Sequence, residues 1–469
     1  MKKSGEVVVI VGAGPAGLGA AWRLQQGGHD NFVVLEANSH PGGLSASFVD
    51  EKGFTWDLGG HVQFSHYPEY DSVLRKALGN DWLYHQRESW IWIHRRFVPY
   101  PFQYNFHLLG HRIADAVLGD LRHLAASSPR RPASNFQEWI RRTFGRALGA
   151  LFMVPYNQKV WGVPLHRMSA RWVGERVAVP DVERVARNVE SGRTDITWGP
   201  NNLFQFPRQG GTGAIWSAVS RFIRSGRIQY GESVRRVFLK EHAVETSSGR
   251  RWRYDHLFNT MPLDIFCDIS PDLAPRPRRA ARRLQHGAVH VVGVGLRGGR
   301  PDSLRTKNWM YFPEPNSPYY RVTVFSNYSP RNVPPGPGHW SLMAEVTETR
   351  FKKVDSKTLV RDVLRALRQD RLIPHSRHIV DIWRRRVEHA YPTPTLERDE
   401  LLGAILPSLE ARSVFSRGRF GGWKYEAGNQ DHCFMQGVEW AERFLYGKKE
   451  TTYDVPERIN ARPPRKHLK

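Results

Sequence analysis

Cysteine is scarce: Cys267 and Cys433 are the only two in 469 residues, and neither sits in a spacing that would hold a metal. No disulfide framework can be built from them, so a reducing compartment, the cytoplasm, is expected, with no metal site. Long apolar runs are missing too. Mean hydropathy is −0.53, and no stretch is long enough to span a bilayer, so a soluble protein without membrane insertion is expected. The run after Met1-Lys2-Lys3 imitates a secretory signal, but Glu6 interrupts it. Acidic residues are the third shortage, 45 against 69 basic ones, for a net charge of +24. Clustered positive charge binds nucleic-acid backbones. Here the arginines come as scattered pairs, with one denser run at Arg276, Arg278, Arg279, Arg282 and Arg283, and no nucleic-acid motif accompanies them. The expectation is a solvated basic surface, or one that steers an anionic small substrate, with no specific nucleic-acid partner. A 40% hydrophobic content and 16 tryptophans exclude a disordered chain, and the length implies two or three domains.

What is present is a nucleotide site. The apolar run Val7 to Val11 reads as a buried strand and leads into Gly12-Ala13-Gly14-Pro15-Ala16-Gly17, whose glycines let the backbone turn and approach a pyrophosphate at a helix N-terminus. Glu36 lies at the distance where an acid bonds a ribose hydroxyl. Pro41-Gly42-Gly43-Leu44-Ser45 adds a second glycine turn, and the combination favours FAD over a nicotinamide cofactor.

Further along, Phe54 to His61 reads as a strand ending in a glycine turn, and Trp90 to Val98 as a strand. Ser127 to Ser134 reads as a linker, and Ser134 with Gln137 as a capping box for a helix carrying Phe136, Trp139, Ile140, Phe144, Leu148 and Leu151 on one face. Gly210 to Gly213 opens an amphipathic helix with Ile215, Val219, Phe222 and Ile223 inward. Residues 290–346 are strand-rich, and 418–423 and 431–445 close the chain as strand, turn and helix.

The ordered set of blocks resembles the UDP-galactopyranose mutase family, in its eukaryotic-type branch. These blocks are Gly59-Gly60-His61-Val62-Gln63-Phe64-Ser65-His66-Tyr67, Val98-Pro99-Tyr100-Pro101-Phe102-Gln103, Pro155-Tyr156-Asn157-Gln158-Lys159-Val160-Trp161 and Gly174-Glu175-Arg176. Trp198-Gly199-Pro200-Asn201, Tyr311-Phe312-Pro313-Glu314, Tyr320-Arg321, Tyr391-Pro392, Arg417 to Gly421 and Gly428 to His432 follow. The resemblance implies an isomerase that interconverts UDP-galactopyranose and UDP-galactofuranose through a flavin N5–sugar adduct on reduced FAD, without net redox change. The nucleophile would belong to the cofactor, and the protein would hold the diphosphate and the sugar.

The site residues follow from that resemblance. Arg176 and Arg321 match the diphosphate-gripping arginines, and His61 the histidine beside the flavin ring, with His66 on the same loop. Tyr328, Tyr391 and Tyr425 match phosphate-contacting phenols, and Tyr311 is a fourth. Tyr100, Phe102 and Gln103 fall at the uracil and ribose pocket; Asn157, Trp161 and Asn201 fall at the sugar subsite. Gly12, Gly14, Gly17, Glu36, Gly42, Gly43, Leu44, Ser45, Gly60, Arg419, Asn429 and Gln430 would bind FAD, with a helix beginning near Gln430 aiming its dipole at the pyrimidine end of the ring. Arg87 and Ser89 match positions used for NADPH, the expected reductant. Two departures stand out: the loop from Ser329 to Trp340 is shorter than in fungal members, which removes support for an oligomer contact there, and Gln63 puts a polar group where an aliphatic one is usual, which is expected to alter loop motion.

The expected architecture is α/β: a discontinuous FAD-binding Rossmann-type domain (1–85, 207–265 and 413–450), a helical domain with mobile substrate loops (105–195), an antiparallel β-sheet domain (86–104 and 284–412) and a basic tail (455–469). The competing readings are the same chemistry on another nucleotide-linked pyranose, an FAD-dependent oxidoreductase of the amine-oxidase or desaturase type, and a basic nucleic-acid-binding protein on a nucleotide fold.

Overall fold

The computed structural model describes residues 5–127, 131–196 and 202–462. Its first element is the strand Val8–Val11, at the centre of a five-stranded parallel sheet. Phe32–Glu36 and then Ile228–Tyr230 lie on one side of it, and His256–Asn259 and then Val414–Ser416 on the other. All four residues of the first strand are buried because both faces are covered: Val8 and Ile10 point into one apolar layer, Val9 and Val11 into the other. The first layer holds the helices Pro15–Gln26, Pro68–Leu78, Gly213–Ser220 and Gln430–Tyr446. The five strands of this sheet thus come from three separated stretches of chain, 8–36, 228–259 and 414–416.

A separate seven-stranded sheet has the order Ile379–Pro392, His286–Arg297, His339–Glu348, Arg321–Val324, Trp309–Tyr311, Ser89–Ile93 and Arg96–Pro99. It departs from the expected antiparallel pattern at one place, where Trp309–Tyr311 runs parallel to Ser89–Ile93. The expected single strand from Trp90 to Val98 is a hairpin that turns at His94 and Arg95, both with positive φ. Alternation alone could not show that reversal. Gly293 and Gly295 are spaced by two on the long strand His286–Arg297 because the rings of Trp56 and Phe54 lie against that face; a Cβ at either glycine would come within 2.7 Å and 2.6 Å of them. On the opposite face Val292, Val294 and Leu296 pack toward the helix Leu359–Gln369.

The helical domain carries His111–Ala126, Phe136–Leu148, Val154–Trp161 and Val182–Ser191 around a core that includes Phe102, Phe136, Ile140, Phe144, Phe152 and Trp161. Its capping box sits one residue later than expected. Asn135 Oδ1 accepts the Glu138 N–H, and the Glu138 carboxylate accepts from the Ser134 N–H and hydroxyl. Two other boundaries move. The terminal strand is Val414–Ser416, with Gly418–Gly421 forming a helical turn, and the segment assigned to a tail from residue 455 begins with a helix, Pro456–Asn460, in which Ile459 and Asn460 are buried. Residues 128–130 of the linker and 463–469 of the tail lie outside the described residues.

Candidate active site

Two adjoining cavities mark the site. One, about 580 Å³, is lined by Gly12, Gly14, Glu36, Gly43, Leu44 and Ser45 and extends to Arg419, Gly428 and Gln430. Its floor is a cradle only glycine allows. Gly12 has φ +98, and a Cβ on Gly17 would lie 1.9 Å from the Gly12 carbonyl oxygen, so the helix Pro15–Gln26 starts hard against the turn. Gly42 has φ +106 and donates its N–H to Ala13 O, which brings the second glycine turn onto the first. Glu36, buried at the end of its strand, accepts the Ala13 N–H at 2.7 Å and the Asn38 N–H at 2.9 Å. A dinucleotide with a pyrophosphate fits this chemistry: backbone turns for the phosphates, a carboxylate for a ribose, and a long groove toward the second cavity.

The second cavity, about 320 Å³, shares Leu44, Ser45, Leu58, Arg419, Gly428 and Gln430 with the first. Gly60, His61, Arg87, Tyr100, Arg176, Tyr311, Arg321, Tyr391, Tyr425 and Asn429 also line it. The sequence thus named most of this wall from segments far apart in the chain. Helix Gln430–Tyr446 begins at it, and its first-turn N–H groups give that end a partial positive charge.

The charged groups are held in different ways. One Arg176 Nη2 hydrogen bond goes to the Glu426 carbonyl at 2.9 Å, while its Nη1 is buried without a partner among the described residues; the guanidinium lies over the Tyr425 ring. Arg419 donates Nε to Ala390 O and Nη1 to Gly428 O, and stacks on both Tyr391 and Tyr425. Arg321 makes a bidentate ion pair with Glu345, both distances 2.7 Å. Burial of His61 holds its imidazole down at about 4; Glu345 opposes this, while Arg321 and Arg419 add to it. It is therefore neutral at neutral pH, with Nδ1 unpartnered among the described residues. The phenols of Tyr100, Tyr311 and Tyr391 are pushed up by burial, so they remain hydrogen-bond donors.

Several expected site residues do not line the cavity. Phe102 is fully buried against Phe152, and Gln103 donates to Ala178 O, so both belong to the helical core. Asn157 uses its amide on Met153 O, and Trp161 packs on Trp172 and Tyr425 behind the wall. Tyr328 is enclosed by Phe204, Phe206, Trp309 and Phe325. His66 bonds Asp431, next to His432, and Ser89 is a buried strand residue that does not line the cavity, whereas Arg87 lines it against the Tyr100 ring. Asn201 lies outside the described residues. Gln63 is pinned by Tyr70, whose hydroxyl donates to its Oε1, and by paired backbone bonds to Gln205.

Sequence reasoning missed Glu345 and Glu426. The signal was present for the first: an acid inside the otherwise buried run Trp340 to Val346 needs a partner of opposite charge. It also passed over Asp264, His286 and His389, whose ligand-type atoms lie within 4.8 Å of one another although no metal site was expected; His389 already donates to the Asp264 carboxylate.

Comparison with known proteins places this geometry. The family model described as flavin containing amine oxidoreductase matches residues 15–437. A 15-cis-phytoene desaturase of Arabidopsis thaliana is 38% identical over 84 residues, 18% of this chain and 15% of that protein. Protoporphyrinogen oxidase 2 of the same plant is 41% identical over 71 residues, 15% of this chain and 14% of that protein. The chain thus spans a small fraction of the length of the curated relatives it matches. A putrescine oxidase with bound putrescine shares the fold at a TM-score of 0.63, with 16% identity over 94% of this chain and 99% of that one. A crystal structure of a reduced UDP-galactopyranose mutase is similar in sequence as well, with a TM-score of 0.94 and 44% identity over 97% of each chain. With its glycine cradle, its arginine-lined second cavity and this full-length likeness, the chain belongs to the flavin-containing amine oxidoreductases and, within them, to the UDP-galactopyranose mutases.

Proposed function

We propose that this flavin enzyme interconverts UDP-galactopyranose and UDP-galactofuranose in the cytoplasm, with FAD reduced by NADPH. The observation that carries the reading is Arg176 Nη1, a buried cationic nitrogen with no partner among the described residues, on the wall of a cavity that adjoins the dinucleotide groove. An unmet charged donor at that depth is costly unless an anion takes it. Bound FAD in its reduced form supplies the nucleophile toward the sugar's anomeric carbon.

The chain's own groups do the rest. Arg176, from one side, and Arg321, from the sheet, present cationic N–H groups where a diphosphate leaves and returns, which stabilises the charge that develops on it. Tyr391, Tyr425 and Tyr311 add neutral donors without increasing the charge. Tyr100 offers an aromatic face for a base, and Arg87 beneath it is the cation placed to meet a second nucleotide. His61, kept neutral, can donate or accept a hydrogen bond beside the ring without competing with the arginines for the anion. Helix Gln430–Tyr446 directs its N-terminus at the shared segment of the two cavities, which favours negative charge there.

Anaerobic incubation of dithionite-reduced protein with a panel of UDP-sugars, followed by product analysis, tests this. Furanose formation from the galactose substrate is expected. Flavin-loaded, reducible protein that forms none, or that prefers a different pyranose, rejects the assignment of activity or of substrate respectively. Stopped-flow bleaching of the flavin by NADPH, slowed at least tenfold in Arg87→Ala, is expected for the reductant.

A further inference from the structure

Three parts of the cavity wall converge on one buried carboxylate. Glu345, 2% exposed, lies directly across from Arg321 in the antiparallel pair of His339–Glu348 with Arg321–Val324. Its Oε1 accepts from Arg321 Nε at 2.7 Å and from the Gly60 N–H at 3.2 Å. Its Oε2 accepts from Arg321 Nη2 at 2.7 Å and from the Tyr320 hydroxyl at 2.7 Å, and that hydroxyl lies 3.3 Å from the hydroxyl of Tyr391. All four acceptor positions of the carboxylate are used.

The partners span the site. Arg321 and Tyr391 line the second cavity, as do Gly60 and His61, which follow one another on their loop. A Cβ at residue 60 would lie 2.8 Å from Thr323 Oγ1, so a side chain there would have to displace that hydroxyl. The ion pair leaves Nη1 as the guanidinium nitrogen outside it, so the direction in which Arg321 meets an anion is set by Glu345. The same pair also cancels most of the charge of Arg321. A carboxylate in this position therefore weakens attraction for an anion while it fixes geometry, an arrangement suited to a group that must be released and recaptured at each turnover.

We propose that Glu345 is a positioning residue that aims Arg321 and locks the Gly59–His61 turn to it, at the expense of ground-state affinity for the diphosphate. The inference rests on the UDP-sugar reading above. In Glu345→Gln, UDP binding is expected to tighten at least threefold while kcat falls at least tenfold, and the absorption spectrum of bound FAD is expected to change as the turn shifts. A structural ion pair alone predicts the reverse split: weaker UDP binding with loss of flavin, or no change in either constant, and both results overturn the proposal. Glu345→Asp keeps the charge but cannot reach all four partners. It is expected to lose kcat without gaining UDP affinity, and an unchanged kcat overturns the proposal even if the glutamine variant does not fold. UDP binding and the flavin spectrum are measured without turnover. Failure of the wild type to form furanose therefore counts against the mutase reading, and these two readouts still decide the role of Glu345.

Discussion

Gly437 and Ala16 are in backbone contact: a methyl group on Gly437 would lie 2.0 Å from the Ala16 carbonyl oxygen. The helix that opens at the nucleotide cradle and the helix that opens at the second cavity touch there, and a Cβ on Gly19 would likewise lie 2.2 Å from Phe434 O. This contact sets where the two N-termini point, so packing and cofactor geometry depend on the same glycines. Gly437→Ala is expected to destabilise the protein by roughly 3 kcal/mol and to lower its flavin content. Thermal unfolding and the ratio of flavin to protein absorbance after purification measure both, and a wild-type Tm would show that the helices separate freely.

Glu36 already holds two backbone N–H groups of its own loops, so its loss acts before any ligand arrives. Glu36→Ala is expected to weaken FAD binding by about 10- to 150-fold, from about 1.5–3 kcal/mol of lost charge-assisted bonding. Fluorescence titration of the apoprotein gives the number, and wild-type affinity would remove Glu36 from the cofactor site.

Arg176→Ala removes a guanidinium whose Nη1 has no partner among the described residues. UDP affinity is expected to fall by about 10- to 150-fold, the range for a charged hydrogen bond of about 1.5–3 kcal/mol. Lysine at the position should recover only part, because it lacks the planar fork that also stacks on Tyr425. Calorimetry with UDP checks this, and a variant that binds like wild type would mean that Arg176 faces no anion.

Two buried groups give opposing pH dependences. Burial lifts the Asp57 carboxyl to about 7, against hydrogen bonds from Ser47 and Thr212 that favour its charged form. Its folded pKa is raised, so its contribution is full below the ordinary value of 3.8 and is lost as pH rises through about 7. His61 is the converse: held down at about 4, it contributes fully above 6.5 and loses that contribution as pH falls through about 4. Each is worth on the order of 3 kcal/mol at the extremes, and between about pH 4 and 6.5 the two slopes nearly cancel. Asp57→Asn should therefore lose stability on acidification more steeply than wild type, and His61→Gln should lose it on alkalinisation. Denaturant midpoints across pH 4 to 8 test the signs, and slopes in the opposite sense would reject both assignments.

Much was readable from local sequence because local physics dictates it. A run such as Val8-Val9-Ile10-Val11 reads as a strand covered on both faces, and glycine is required at Gly12 by its positive φ and at Gly17 by the backbone carbonyl against it. Arg176, Arg321, Tyr391, Tyr425 and Arg419 were found because each sits in a motif that resembles a family pattern. Direction was not readable. Pro101-Phe102-Gln103 says that an aromatic and an amide are adjacent, not that Phe102 turns to Phe152 and Gln103 to Ala178; Asn157 likewise spends its amide on its own helix. The hairpin at His94 and Arg95 has strand-like alternation on both arms, so only its positive φ angles and its pairing reveal the turn.

The amino-acid sequence by itself determined the buried first strand and the glycine cradle, since these follow from apolar patterning and missing side chains, and it pointed to the arginines and tyrosines of the cavity through the family resemblance. Only the tertiary structure decided which of those residues reach the cavity and what restrains them. Arg321 and Glu345 are 24 positions apart, and they oppose each other solely through the register of two strands, which no local pattern specifies. Register depends on the burial of both faces at once, and that is a property of the packed chain.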